Sequence, residues 1–338
     1  MPQELNIKQQ FYMIIKKFRF EELEEYVLPV LSELSWDIIK SKLVKNHESL
    51  TTAHAVPIIQ DEINKANLSS ALLKEYLHTL EVVEISIHYR KKYWFAYELK
   101  GGQEPINLKS REIENNIKES FDKYNMDMDV KALKNDNLIF LSIKEKLKKK
   151  QRKTITPTYF ALTRHYNFFF CSKEKCMKNI LAAVIDGLNY KSCKKLKLTG
   201  RDVPSLVKML LNKKNAALQG DVVKDPLPYR YAAPVKTPFG LDFTQNKNRE
   251  QYAEKCFGEN PPVFESLKVK CLNQKWKHEK AAQKLPNASI STKIEFRSIN
   301  IPNFLKTLVT KGILTTPLPV YAANVLNIGR NDMELTNA

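Results

Sequence analysis

The chain has 338 residues, 43% of them hydrophobic and 27% charged, with a formal net charge of +18. That length accommodates two or three domains with cores of their own, and no run of about 18 apolar residues is present to make a transmembrane helix. Charge on this scale describes partners more than fold, and it makes a polyanion, a nucleic acid first, the expected ligand.

Residues 1–90 read as a compact bundle of five helices. Phe11, Ile14, Ile15 and Phe18 fall at i, i+3, i+4 and i+7, the apolar stripe of a first helix. A second is expected over 21–33, perturbed by Pro29, and a third over 35–45 behind Ser35 as N-cap. Pro57 suits the first turn of a helix over 56–66. A longer helix follows, capped at Ser69 or Ser70. Gly101-Gly102 breaks the pattern. Beyond it come a helix over 109–124 and β-type runs at 138–143, 156–163 and 166–171, the last two joined as a hairpin around Arg164 and His165. A helix over 174–188, a strand in KKLKLT and a helix capped by Asp202 complete this part. Residues 215–238, with Pro226, Pro228, Pro234 and Pro238, read as a linker or long loop. A helix over 246–257, strands over 263–272 and 291–297 and a helix over 302–311 follow. The fold expected is α+β, in segments 1–100, 101–214, 215–238 and 239–338.

Catalytic signatures are sparse. The six histidines form no HExxH or zinc-finger spacing, and the chain holds no phosphate loop, GxGxxG or GxSxG. Asp127 and Asp129 read as a solvated turn rather than a Mg²⁺ pair. Five cysteines without a CxxC pair read as reduced thiols. The N-terminus lacks a signal peptide's apolar core, and the location expected from the thiols is the cytosol or nucleus. No enzyme activity, cofactor or metal is expected.

The charge is uneven. Residues 1–100 hold 13 basic and 14 acidic side chains, 101–220 hold 25 and 12, and 221–338 hold 17 and 11. The run KEKLKKKQRK at 144–153 reads as a phosphate-neutralising loop through Lys148, Lys149, Lys150, Arg152 and Lys153, against the plainer reading of a solvated loop. Lys191, Lys194, Lys195, Lys197 and Arg201 form a second cluster, and Arg90, Lys91 and Lys92 a third. The aromatics of YNFFF (166–170) read as core packing before base stacking, and Trp94 as a domain-junction core residue.

Taken in order, YRKKYW (89–94), TPTYFALT (156–163) with YNFFF, LTGRD (198–202), FGLDF (239–243) and IEFRSINIPNFLKTLVTKGI (294–313) resemble the centromere protein N family. The resemblance spans essentially the whole chain and rests on order and spacing. It implies an N-terminal pyrin-like helical domain, a mixed α/β homology domain and a C-terminal β-containing segment that pairs with centromere protein L. It also implies a nuclear, centromeric and kinetochore location. The implied partners are other inner-kinetochore subunits, DNA and nucleosomes that contain the centromeric histone H3 variant, met at its L1 loop. Carried onto this chain, the family's DNA contacts fall on Lys17, Lys92, Lys123, Lys178 and Arg201. Lys45 stands near a family lysine replaced by His47. Lys150, Arg152 and Lys153 stand in for positions at Gln151 and Thr156, and Lys195 and Lys197 compensate for Thr199. The histone contact falls on Glu4 and on Gln9, where the family has an acid. The function expected is a non-enzymatic nucleosome adaptor in chromosome segregation. A general sequence-independent DNA- or RNA-binding protein is the alternative.

Overall fold

A computed structural model describes residues 2–102, 109–146, 156–218, 226–231, 233, 235–238, 240–242, 245–275, 279–284 and 289–335. Helices fill the first ninety residues, as the apolar spacing predicts. α1 (Pro2–Ile15) buries Phe11, Ile14 and Ile15, and Phe18 is buried just past its end. The second segment is not one helix. α2 (Phe20–Glu22) runs into a π-turn at Leu23–Val27 and a 3-10 turn at Leu28–Val30. Pro29 has no N–H and its ring crowds the turn before it, so a regular α-helix cannot pass. α3 (Trp36–Lys45) follows Ser35, whose extended backbone marks the N-cap. α4 (Thr52–Ala66) begins earlier than expected, so Pro57 lies inside it rather than in its first turn. α5 (Ser70–Ile87) is capped by Ser69, whose Oγ accepts from the Leu72 N–H at 3.3 Å.

The middle of the chain contributes β1 (Trp94–Lys100), α6 (Ser110–Lys123), β2 (Met128–Asn135), β3 (Leu138–Glu145), β4 (Thr158–Thr163), β5 (Phe168–Cys171) and α7 (Lys178–Gly187). β6 (Ser192–Gly200), α8 (Val203–Leu218), β7 (Val235–Thr237), β8 (Gly240–Asp242), α9 (Asn246–Phe257) and β9 (Ser266–Lys275) follow. α10 (Glu279–Lys284), β10 (Ser289–Arg297), α11 (Ile301–Thr310), α12 (Val320–Ala323), α13 (Val325–Ile328) and β11 (Asp332–Leu335) end the described chain. The class is α+β, as expected. α7 starts later than position 174. β1, β2 and β11 were not expected as strands.

The chain divides into two compact units, 1–89 with 99–193, and 90–98 with 194–338. These bounds differ from the segments drawn at 100, 214 and 238. In the first unit α5 packs on β2 and β3, and Asn135 Nδ2 donates to the Ser86 carbonyl at 2.8 Å. The helical bundle therefore shares a core with the strands behind it. There β2, β3, β4 and β5 run as an antiparallel meander, with Val130 opposite Ile143, Phe140 opposite Ala161 and Leu162 opposite Phe169. The hairpin turns at Arg164 and His165, as expected. Gly187 lets α7 approach α6: a Cβ there would come within 2.7 Å of the Ile117 Cα.

In the second unit β9 lies between β10, antiparallel to it, and β11, parallel to it. Segment 215–238 is more than a linker. Tyr252 donates its hydroxyl hydrogen to the Leu227 carbonyl at 3.0 Å, Asn248 Nδ2 donates to the Arg230 carbonyl, and β7 pairs with β8.

His78 on α5 is buried, with Nε2 at 3.3 Å from Ser142 Oγ on β3, and desolvation pushes its imidazole down to about 4. The unfolded chain takes up this proton below about pH 6.5, whereas the folded chain resists it until near pH 4. Stability from this group is therefore lost as pH falls through that window, by roughly 3 kcal/mol in full. In denaturant titrations at pH 7 and pH 5, His78→Gln should lose less stability on acidification than the unaltered chain. Equal losses would show that another group carries the acid sensitivity.

Candidate nucleic-acid interface

Strand β6 is densely basic, and its alternation decides which cations face water. A Cβ on Gly200 would lie 3.1 Å from Leu206 Cδ2 of α8, so the face that holds Leu196, Leu198 and Gly200 is the one that α8 covers. Lys195 and Lys197 stand on the opposite face and are exposed. On β1, the Phe95 ring lies 5.1 Å beneath the Lys195 ammonium. Just past β6, the Arg201 guanidinium lies 5.0 Å over Tyr93, a ring that remains 39% exposed. Such stacking restrains a long side chain without discharging it. Lys92 is exposed one residue before Tyr93.

The turn between β6 and α8 is fixed from both sides. The Arg201 N–H donates to Glu265 Oε2 at 3.2 Å, and burial raises the Glu265 carboxyl against the downward pull of that bond. Asp202 caps α8 by accepting from the Ser205 N–H at 3.2 Å and from the Ser205 hydroxyl. Its other oxygen accepts from Arg90 Nε at 2.7 Å. The cap was expected; the Arg90 pairing, which withdraws that arginine from the basic cluster at 90–92, was not. Lys197 is partly neutralised: it pairs with Glu334 of β11 at 3.0 Å, which lowers that carboxyl.

The remaining described candidates belong to the first unit. Lys17 is exposed after α1 and within electrostatic reach of Glu81 on α5. Burial raises the Glu81 carboxyl; Lys144, at 3.1 Å, and Lys17 oppose that rise. Lys45 and Lys123 are exposed in the last turns of α3 and α6, where the helix dipole favours a cation. Lys178 is exposed in the first turn of α7, where the dipole does not. Of the run at 144–153, Lys144 pairs with Glu81, and Lys146 pairs with Asp127 at 2.7 Å. Lys146 also lines a cavity of about 320 Å³ with Asp127, Thr156, Lys173, Met177 and Ile180. Lys150, Arg152 and Lys153 lie outside the described residues, as does the side chain of Glu4. Gln9 is exposed on α1.

Other candidates resolve into structure. Phe168, Phe169 and Phe170 are buried, so YNFFF offers no stacking platform, and Trp94 is fully buried. Asp129 lies on β2 opposite Lys144 rather than in a turn. The cysteines are free thiols. A hydrogen bond between Cys171 and Cys176, helped by burial, raises Cys171, and the same bond lowers Cys176. The residues missed in the sequence are Tyr93, Phe95 and Glu265. Only the alternation of Tyr93, Phe95 and Tyr97 hinted at the first two.

No protein-family model matches the chain, and a search of the curated proteins finds no match.

Removing the Asp202 carboxylate takes away a helix cap and an ion pair together. Asp202→Ala should therefore cost about 1–2 kcal/mol and lower Tm by several degrees. Arg201→Met, at an exposed side chain, should leave Tm nearly unchanged. A calorimetric scan of both distinguishes a structural turn from a merely charged one.

Proposed function

We propose that this chain is a non-enzymatic adaptor of the centromere protein N type, which binds DNA phosphates on nucleosomes that carry the centromeric histone H3 variant. The observation that carries the reading is the exposed basic face of β6 and the turn after it. There Lys195 is backed by Phe95, and Arg201, in the LTGRD segment on which the resemblance partly rests, is backed by Tyr93 of YRKKYW. Cations on backbone phosphates supply affinity for any nucleosome. In this reading a contact from the start of α1, at Glu4 and Gln9, supplies the preference for the variant's L1 loop. The N-terminal helices act as the pyrin-like domain, and the segment after 238 pairs with centromere protein L. The adaptor works at the kinetochore with other inner subunits and supports chromosome segregation. The general nucleic-acid reading keeps the same cations, but its proposed aromatic platform is buried.

A competition gel shift with variant and canonical H3 nucleosomes on identical DNA, at near-physiological salt, tests this. The unaltered chain should prefer the variant nucleosome; equal binding would leave only the electrostatic term. Charge reversal of Lys150, Arg152 and Lys153, or of Lys195 and Arg201, should weaken binding to both nucleosomes alike, by on the order of tenfold or more. Wild-type affinity in both sets would exclude the basic-face mechanism.

A further inference from the structure

The buried stripe of α8 ends in a charge. Leu206, Met209 and Leu210 are buried at i, i+3 and i+4, and Lys213 continues that stripe at i+7. Leu206 meets the face of β6 that carries Gly200, so Lys213 lies on the sheet-facing side of its helix. Followed back along β6, that same face passes Leu198 and Leu196 and reaches Lys194, two residues from the start of the strand. On β1, Phe95 shares the opposite face with Lys195. Trp94, Ala96 and Glu98 are therefore on the α8 side.

A third element closes the cluster. Gly329 adopts a left-handed backbone with φ of +61°, and a Cβ there would lie 2.8 Å from the Lys213 Cβ and 3.0 Å from the Met209 carbonyl oxygen. The backbone of Gly329 thus rests on Lys213, and Arg330 is the next residue. Asn331, one further on, donates its N–H to the Lys197 carbonyl of β6 at 3.1 Å. The backbone at Arg330 thus bridges from α8 to β6, and its side chain is exposed. Lys194, Arg330 and the carboxylate of Glu98 all lie within electrostatic reach of Lys213, and among the described residues none of the three cations makes a salt bridge. The crowding registers on Lys213: burial first, then Arg330, lower its ammonium pKa, and Lys194 adds to that against the opposing pull of Glu98. Lys197 and Arg90, by contrast, already have Glu334 and Asp202.

We propose that Lys194, Lys213 and Arg330 form a phosphate-binding site that takes a nucleic-acid backbone phosphate. The site adds a second contact line to β6 on the side away from Lys195 and Lys197. It rests on the reading that this strand faces DNA, since Lys194 is adjacent in sequence to Lys195 and an anion here would meet excess positive charge. None of its three cations is among the positions that the family resemblance selects.

The test is fluorescence anisotropy of the full chain with a labelled random-sequence duplex over a salt series. Lys213→Met combined with Arg330→Met should bind on the order of tenfold more weakly at moderate salt, with a slope of log K against log salt shallower by about two units. Lys194→Gln, at an exposed position, should lose about one unit. Arg330→Lys should bind like the unaltered chain. The melting temperature of the double variant should hold or rise, because like charges have been removed. Unaltered affinity and slope in the double variant would overturn the site and leave the basic-face reading standing. Loss of binding to a phosphoserine peptide alone, with duplex binding intact, would overturn it in favour of a protein partner. Failure of the unaltered chain to bind any duplex would overturn the underlying reading itself.

Discussion

The buried carboxylate of Asp202 holds the second unit in register. One oxygen satisfies the first turn of α8, and the other takes the Arg90 guanidinium, so the residues just before β1 and just after β6 meet at one acid. A carboxylate only 7% exposed would be costly if it were not so fully hydrogen-bonded. Because it is, the direction of α8 across β6 is set, and with it the division of that strand into a covered and an open face. Arg201 is adjacent to this anchor and inherits its rigidity. Its guanidinium is presented over Tyr93 rather than left to wander, which reduces the side-chain entropy lost on meeting a phosphate.

The net charge of +18 overstates what is available to a partner. Lys42 and Lys65 share Glu62, Lys144 holds Glu81, Lys146 holds Asp127 and Lys197 holds Glu334. Most of these bonds lie at the surface, where each contributes little to stability. They still matter to binding, since a cation with a neighbouring carboxylate draws a phosphate less strongly than an uncompensated one. The excess that remains is therefore concentrated, and Arg201 and the exposed helix-terminal lysines carry part of it.

The helices were legible because their apolar residues repeat at a period that few other structures share, and because Ser69, Asp202 and Gly258 mark ends in the way capping chemistry requires. The β3–β5 strands were legible as unbroken apolar runs bounded by turn residues. β2 was not. Met128–Asn135 begins as an alternation, but Ala132-Leu133 break it and Lys134-Asn135 end it in polar residues, so only its pairing with β3 identifies it as a strand. β11 likewise takes its identity from β9. The division into units was hidden for the same reason. Asn135 reaching Ser86 and Asn331 reaching Thr199 are long-range bonds, and no local period announces them. The basic strand could be read from composition. Which of its lysines faces water, and which rings lie beneath the cations, depended on one glycine and on a neighbouring strand.

The parallel pairing of β11 with β9 also bears on how the protein is made. β9 ends at Lys275 and β11 begins at Asp332, so β9 leaves the ribosome well before the strand that closes one of its edges. At ordinary elongation rates that interval is roughly 3 to 10 seconds. β1 waits longer still for its neighbour β6, since the 99–193 segment of the first unit is translated between them. For that time the nascent second unit offers unpaired strand edges to whatever is nearby, which makes translation speed and chaperone supply determinants of its yield.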